Sequence, residues 1–209
     1  EGFTMYSEVI WTECQSGRAA ADEYAQGVRR NIRNDKPILG PYGVNQEGSG
    51  DMYYKGAALI HMIRYIVGDS AFNAMLLELN KRFRHSITAS AEVEHLIIEL
   101  AHRDFQPMFD QYLRTTRIPV LEWGVRKGDL LTRWTNCVPG FNMLVNINVN
   151  GEERMVSVSD TWSVPAGGLS DDAVLTIDRN WYATDTKAGK RDLRNAGAER
   201  LDRLPSHKR

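Results

Sequence analysis

Residues 115–125 read Thr-Thr-Arg-Ile-Pro-Val-Leu-Glu-Trp-Gly-Val, and the apolar periodicity of the chain changes across them. Before Pro119, apolar residues recur every three or four positions, the spacing of one helix face. After it they alternate, the spacing of a strand with one buried face. A block of helices followed by a block of strands implies an α+β fold in two parts.

Working back from Pro119, a short helix carries Met108, Phe109, Tyr112 and Leu113. Val93, Leu96, Ile97 and Leu100 mark a helix after Ser90. Phe72, Met75, Leu76, Leu79 and Phe83 mark another, with Ser70 as its expected cap. From Gly56, Leu59, Met62, Ile63, Ile66 and Val67 form one helical stripe ending at Gly68-Asp69. Phe3 to Ile32 read as one amphipathic helix or a broken pair, with Gly17 and Gly27 as weak points. Between these, Asn34-Asp35-Lys36-Pro37 stops the helix, and a loop of about 20 residues follows, a length usually reserved for function or disorder.

Working forward, strands are expected at Val120–Val125, Leu130–Trp134, Met143–Val149, Met155–Val158 and Val174–Ile177. Asn150-Gly151 is the strongest hairpin signal among the intervening turns. The expected organisation is therefore a helical domain over residues 1–117 and a small antiparallel β-sandwich over 118–185. A basic tail, helical or disordered, is expected over 186–209.

The chain has 209 residues, 42% hydrophobic and 25% charged, with a formal charge of -1. That balance argues against nucleic acid or a membrane surface as the main partner. No apolar run approaches the roughly 20 residues of a spanning helix. A soluble protein is expected, with cytoplasm and periplasm both open. Cys14 and Cys137 share no short spacing with each other or with a His, which argues against a Cys-based zinc site.

Two segments carry a family resemblance. Glu1-Gly2-Phe3-Thr4-Met5-Tyr6-Ser7-Glu8 is similar to the N-E-G-F-x-x-Y-x-E stretch that follows the HExxH helix in zinc aminopeptidases of the M1 (gluzincin) family. Asp51-Met52-Tyr53-Tyr54-Lys55-Gly56-Ala57 resembles the Y-x-K-G-A segment of the same family, with Tyr53 two positions before the Lys. Leu121-Glu122-Trp123 and Arg133-Trp134-Thr135-Asn136-Cys137 also resemble bacterial members. The resemblance covers roughly residues 1–185. It implies the helical C-terminal half of a thermolysin-like catalytic domain followed by the β-domain, with the chain beginning on the third zinc-ligand Glu.

By that resemblance Glu1 is a zinc ligand and Tyr53 a catalytic phenol. A catalytic zinc takes three protein ligands and keeps a position open for water, whose pKa it lowers. A phenol aimed at the substrate carbonyl stabilises the charge that grows on its oxygen as water attacks. The neighbouring Tyr54 would take this role if the register were shifted by one. Gly56 would let the following helix begin close to the site, and Lys55 would fix the loop.

The histidines do not offer a second metal site. His95 and His102 are two helical turns apart, too far for a ligand pair one turn apart. His61 falls on the polar side of its helical stripe, and His85 follows a basic cluster at a helix end. Glu92, Glu94 and Glu99 read as a solvated helix face, and Trp123, Trp134, Trp162 and Trp181 as core of the β-domain.

HExxH and the upstream G-x-M-E-N segment do not occur in the chain. The expected activity, removal of N-terminal residues from a peptide substrate by zinc-activated water, therefore belongs to a longer parent. Zn2+ would be its cofactor, and the missing N-terminal part of the same protein the fragment's partner. Alone, the chain should bind no zinc tightly and be inactive. The alternative is a non-catalytic M1-like scaffold or binding module.

Overall fold

Glycine and the apolar stripes set the helix boundaries in this computed structural model, which describes residues 1–44, 46–194 and 196. Helix α1 (Gly2–Ser16) buries Met5, Tyr6 and Val9. Gly17, at φ 85, breaks it from α2 (Arg18–Val28), which buries Ala21 and Ala25 and ends in a 3₁₀ turn, Arg29–Asn31. The expected break at Gly27 is absent: the residue continues α2.

Helix α3 (Asp51–Val67) starts five residues before the expected Gly56, so Tyr53 and Lys55 stand on the helix and not on the loop. The apolar stripe misses this turn because its residues are mostly polar. Residues 55–64 are buried without interruption, as in a helix packed on all sides. A single residue, Gly68 at φ 84, separates α3 from α4 (Asp69–Arg82). Gly68, and not Ser70, is therefore the N-cap of α4. Then follow α5 (Ser90–Ala101), where the Glu92 carboxylate accepts the Ala89 N–H at 2.8 Å, and α6 (Gln106–Arg114), with a proline in its first turn.

These helices and residues Arg179–Tyr182 form one compact unit. The latter segment was expected in the β-domain. The Arg29 guanidinium donates to the carbonyls of Arg179 at 2.7 Å, Asn180 at 2.7 Å and Trp181 at 3.1 Å. Tyr112 Oη donates to the Tyr182 carbonyl at 2.8 Å. Trp181 is buried here, packed edge-on against Tyr65. A sequence period cannot report contacts between segments so far apart.

His61 is likewise buried and not on a polar face, at 1% exposure. Its Nε2 faces Asn180 Oδ1 at 3.0 Å and its Nδ1 faces Tyr6 Oη at 3.1 Å. A neutral imidazole donating from Nε2 and accepting at Nδ1 satisfies both. Arg64, also buried, donates to Glu13 at 2.6 and 3.0 Å and to Asp69 at 2.7 Å.

The second unit holds Ile118–Asp178 and the chain from Ala183. Its strands are β1 (Val120–Arg126), β2 (Asp129–Thr135), β3 (Asn142–Val149), β4 (Glu152–Ser159), β5 (Ser163–Ala166), β6 (Leu175–Ile177) and β7 (Thr184–Lys187). They form one sheet in the order β5-β2-β1-β7 and another in the order β4-β3-β6. Lys127-Gly128 and Asn150-Gly151 turn the β1–β2 and β3–β4 hairpins with positive φ at both residues, as a two-residue turn requires. Val145 and Ile147 of β3 are fully buried, and Trp134 meets Phe141 edge-on at 5.9 Å. The fold is α+β.

Sequence reading missed β5 and β7. Strand β7 pairs with β1 in parallel, so the sheet is not purely antiparallel, and the strand runs into the segment expected as tail. Beyond it, residues 190–194 are helical, and Leu193 packs over Gly124, where a Cβ would meet it at 2.7 Å. The rest of the expected tail, 195 and 197–209, lies outside the described residues. Among the described residues, no helix is long and apolar enough to cross a membrane.

Burial holds the His61 pKa down to about 4, below the 6.5 of a solvated imidazole, against the raising effect of the Asn180 hydrogen bond. The unfolded chain therefore takes up a proton that the folded chain refuses between these values. The stability this neutral His61 confers is complete above pH 6.5 and is lost as pH falls toward 4. The loss is on the order of 3 kcal/mol. In urea unfolding, His61→Gln should show a shallower fall in stability over that window than the parent chain; equal slopes would show that His61 does not bind the proton on unfolding.

Candidate active site

The site is built where two helices begin. Glu1 is the N-cap of α1, but its side chain makes no capping hydrogen bond, and the residue is exposed. Tyr53 lies in the first turn of α3 and is 38% exposed. The two helices touch backbone to backbone at Gly2 and Gly56. A Cβ on Gly56 would stand 3.0 Å from Gly2 Cα, and a Cβ on Gly2 would stand 3.0 Å from Gly56 Cα and 3.2 Å from the Met52 carbonyl. Any side chain at either position would push the helices apart.

That contact brings Glu1 and Tyr53 together. The Glu1 charge is the largest cause of a raised Tyr53 pKa, followed by loss of water around the phenol, a hydrogen bond to the same carboxylate and the Glu47 charge. A phenol held protonated in this way is a hydrogen-bond donor across the neutral pH range. Tyr54, one residue on, is half-buried and packs against the core formed by Met5, Tyr6 and Val9.

The start of α3 is tied down by residues that sequence reading did not assign. Asp51, 2% exposed, accepts the backbone N–H groups of Arg33 at 2.9 Å and Asn34 at 2.7 Å. Ser49 Oγ accepts the Asp51 N–H at 3.1 Å and donates to Asp35 at 2.5 Å, which lowers the Asp35 pKa. Lys55 is fully buried, and its Nζ donates to the Thr115 carbonyl at 2.8 Å. Burial lowers its pKa, against the attraction of Asp51. Lys55 thus anchors the helix that carries Tyr53 to the segment after α6. An Asp opening a helix after Gly48-Ser49-Gly50 was the available signal for this anchor.

Beside Glu1 lies an apolar cavity of about 260 Å³, lined by Phe3, Met52, Leu59, Ile63, Val93 and Ile97 among others. Buried Glu94 is also part of its wall and pairs with Arg114 at 2.9 Å. Its burial corrects the expected solvated face for that residue.

A carboxylate such as Glu1 is a suitable zinc ligand, but a stable site needs three or four. Among the described residues, no group of three His, Cys, Asp or Glu side chains could hold a metal ion. The described residues therefore do not make a complete zinc site by themselves.

Glu1→Gln should lower the Tyr53 pKa toward its ordinary value of 10, because the charge opposing phenolate formation is gone. Gly56→Ala should do the same by forcing α1 away from α3. Tyrosine-selective NMR across an alkaline pH titration would follow both, with Tyr54 as internal reference. A Tyr53 titration unchanged by either substitution would contradict the contact.

No protein-family model matches the sequence. No curated protein matches it either. Its structure is similar to that of aminopeptidase A from Legionella pneumophila, solved in complex with aspartic acid, with a TM-score of 0.67 over 91% of this chain. Identity over the match is 11%, and the chain spans 24% of that protein's length. At this identity the likeness concerns the fold, which is aminopeptidase-like.

Proposed function

We propose that this chain is part of a zinc-dependent aminopeptidase of the M1 (gluzincin) type, with Glu1 as one zinc ligand and Tyr53 as the phenol that acts on the substrate carbonyl. The observation that supports it best is the meeting of these two side chains at the Gly2–Gly56 crossing. They come from segments about 50 residues apart in sequence. The fold likeness to an aminopeptidase agrees with this reading.

Bound zinc would supply Lewis acidity and an activated water. The chain's own residues have narrower tasks. Glu1 brings a negative charge that offsets part of the metal's. Tyr53 donates a hydrogen bond to the carbonyl oxygen of the scissile peptide as negative charge develops there. Asp51 and Lys55 hold the first turn of α3, and so Tyr53, in place. The remaining zinc ligands and the general base are outside the described residues of this chain.

A second reading, a scaffold or binding module without catalysis, draws on the absence of a three-ligand cluster among the described residues. The two readings part in the full-length protein. There, Tyr53→Phe should cut kcat by about a hundredfold or more with little change in KM, since the hydroxyl acts mainly in the transition state. Glu1→Ala should lower zinc content measured by atomic absorption. Unchanged kcat would remove Tyr53, and stoichiometric zinc would remove Glu1, from these roles. A full-length protein that neither holds zinc nor turns over an aminoacyl substrate would leave the scaffold reading standing. The chain alone should neither bind zinc tightly nor turn over an aminoacyl substrate.

A further inference from the structure

A polar cavity of about 480 Å³ opens beside the first turn of α3, bounded by Arg30, Arg33, Asp35, Asp51 and Tyr54 among others. Its charges are unequally committed. The Asp51 carboxylate is buried and already accepts two backbone N–H groups. The Asp35 carboxylate accepts from Ser49 Oγ and from the Lys36 N–H. Arg30 and Arg33 are exposed, and neither guanidinium has a hydrogen-bond or ion-pair partner among the described residues.

This contrasts with other arginines of the same helical unit. Arg29 is consumed by three backbone carbonyls, Arg64 by Glu13 and Asp69, and Arg18 by Asp22 and Asp69. The local sequence adds Lys36, so that Arg29, Arg30, Arg33 and Lys36 stand against Asp35 alone over residues 29–36. The cavity therefore offers two planar, five-donor groups with unused hydrogen-bonding capacity, next to carboxylates whose own capacity is partly filled from within.

We infer that this cavity binds the carboxylate of a peptide through Arg30 and Arg33. A guanidinium matches a carboxylate with two parallel hydrogen bonds, and two guanidiniums can share its oxygens. The cavity is wider than a carboxylate alone fills, which leaves room for the residue that bears it. Its position bears on the ligand's class: the cavity opens on the first turn of α3, the turn that also carries Tyr53, although Tyr53 is not among its lining residues. A peptide with its reacting carbonyl at Tyr53 and an acidic group at Arg30 and Arg33 would be held at two points, a binding mode that rests on the aminopeptidase reading above.

The test needs neither metal nor turnover, so its failure leaves the zinc reading untouched, and loss of the zinc reading leaves its result intact. The whole chain is titrated at low ionic strength with Ala-Ala-Ala carrying a free carboxylate, with the same peptide as its C-terminal amide, and with inorganic phosphate, while the Arg Nε–Hε NMR signals are followed. The acid should shift the signals of Arg30 and Arg33, and the amide should not. Arg30→Gln with Arg33→Gln should weaken binding by about tenfold or more, and the paired Lys substitutions should restore only part of it. Arg84→Gln, at an exposed arginine outside the cavity, should change nothing. Equal binding of acid and amide, an unaffected double variant with an unchanged circular dichroism spectrum, or phosphate binding as tightly as the peptide would each overturn the assignment.

Discussion

Packed helices are ordinarily held about 8–10 Å apart by the side chains between them. At Gly2 and Gly56 there are none, and the backbones of α1 and α3 meet directly. The position of α1 against the central helix follows from this contact. So does the site, because Glu1 precedes one glycine and Tyr53 precedes the other by less than a turn. Two glycines inside helices carry a cost in backbone entropy. Here the cost accompanies a geometry that no larger residue permits, beside the helix starts that carry Glu1 and Tyr53.

The same unit buries charged and polar side chains along α3. Lys55, Asp51, His61 and Arg64 are each less than 6% exposed. Each is matched by a partner: Lys55 by the Thr115 carbonyl, Asp51 by two amides, His61 by Asn180 and Tyr6, and Arg64 by Glu13 and Asp69. Unmatched, any one of them would be strongly destabilising in such surroundings. Matched, they fix relative positions more narrowly than apolar packing does, since hydrogen bonds have direction. The polar interior of α3 thus serves to aim its first turn.

The fold class and the change of regime near Pro119 were legible because periodicity is local. The Asn150-Gly151 hairpin was legible for the same reason, whereas Glu1 and Tyr53 are candidates by resemblance to short motifs. What escaped was long-range or counter to pattern. The first turn of α3 is mostly polar, so a search for apolar stripes begins the helix at Gly56. His61 looked solvated because its partners, Tyr6 and Asn180, come from far along the chain. Strand β7 has an exposed, charged sequence, Thr-Asp-Thr-Lys, and is a strand only because β1 offers it an edge. The pairing of Asp51 with the 33–34 backbone is invisible to spacing altogether.

The segment Arg179–Tyr182 gives the helical unit an order of assembly. It lies in sequence between β6 and β7, yet it supplies the acceptors for Arg29, Gln26 and His61. During synthesis the six helices leave the ribosome before this segment, with these donors made and their acceptors still untranslated. The helical unit therefore cannot reach its final state as an early, independent product of translation. Its completion waits until most of the β unit has emerged, so the strands are made before the helices are finished.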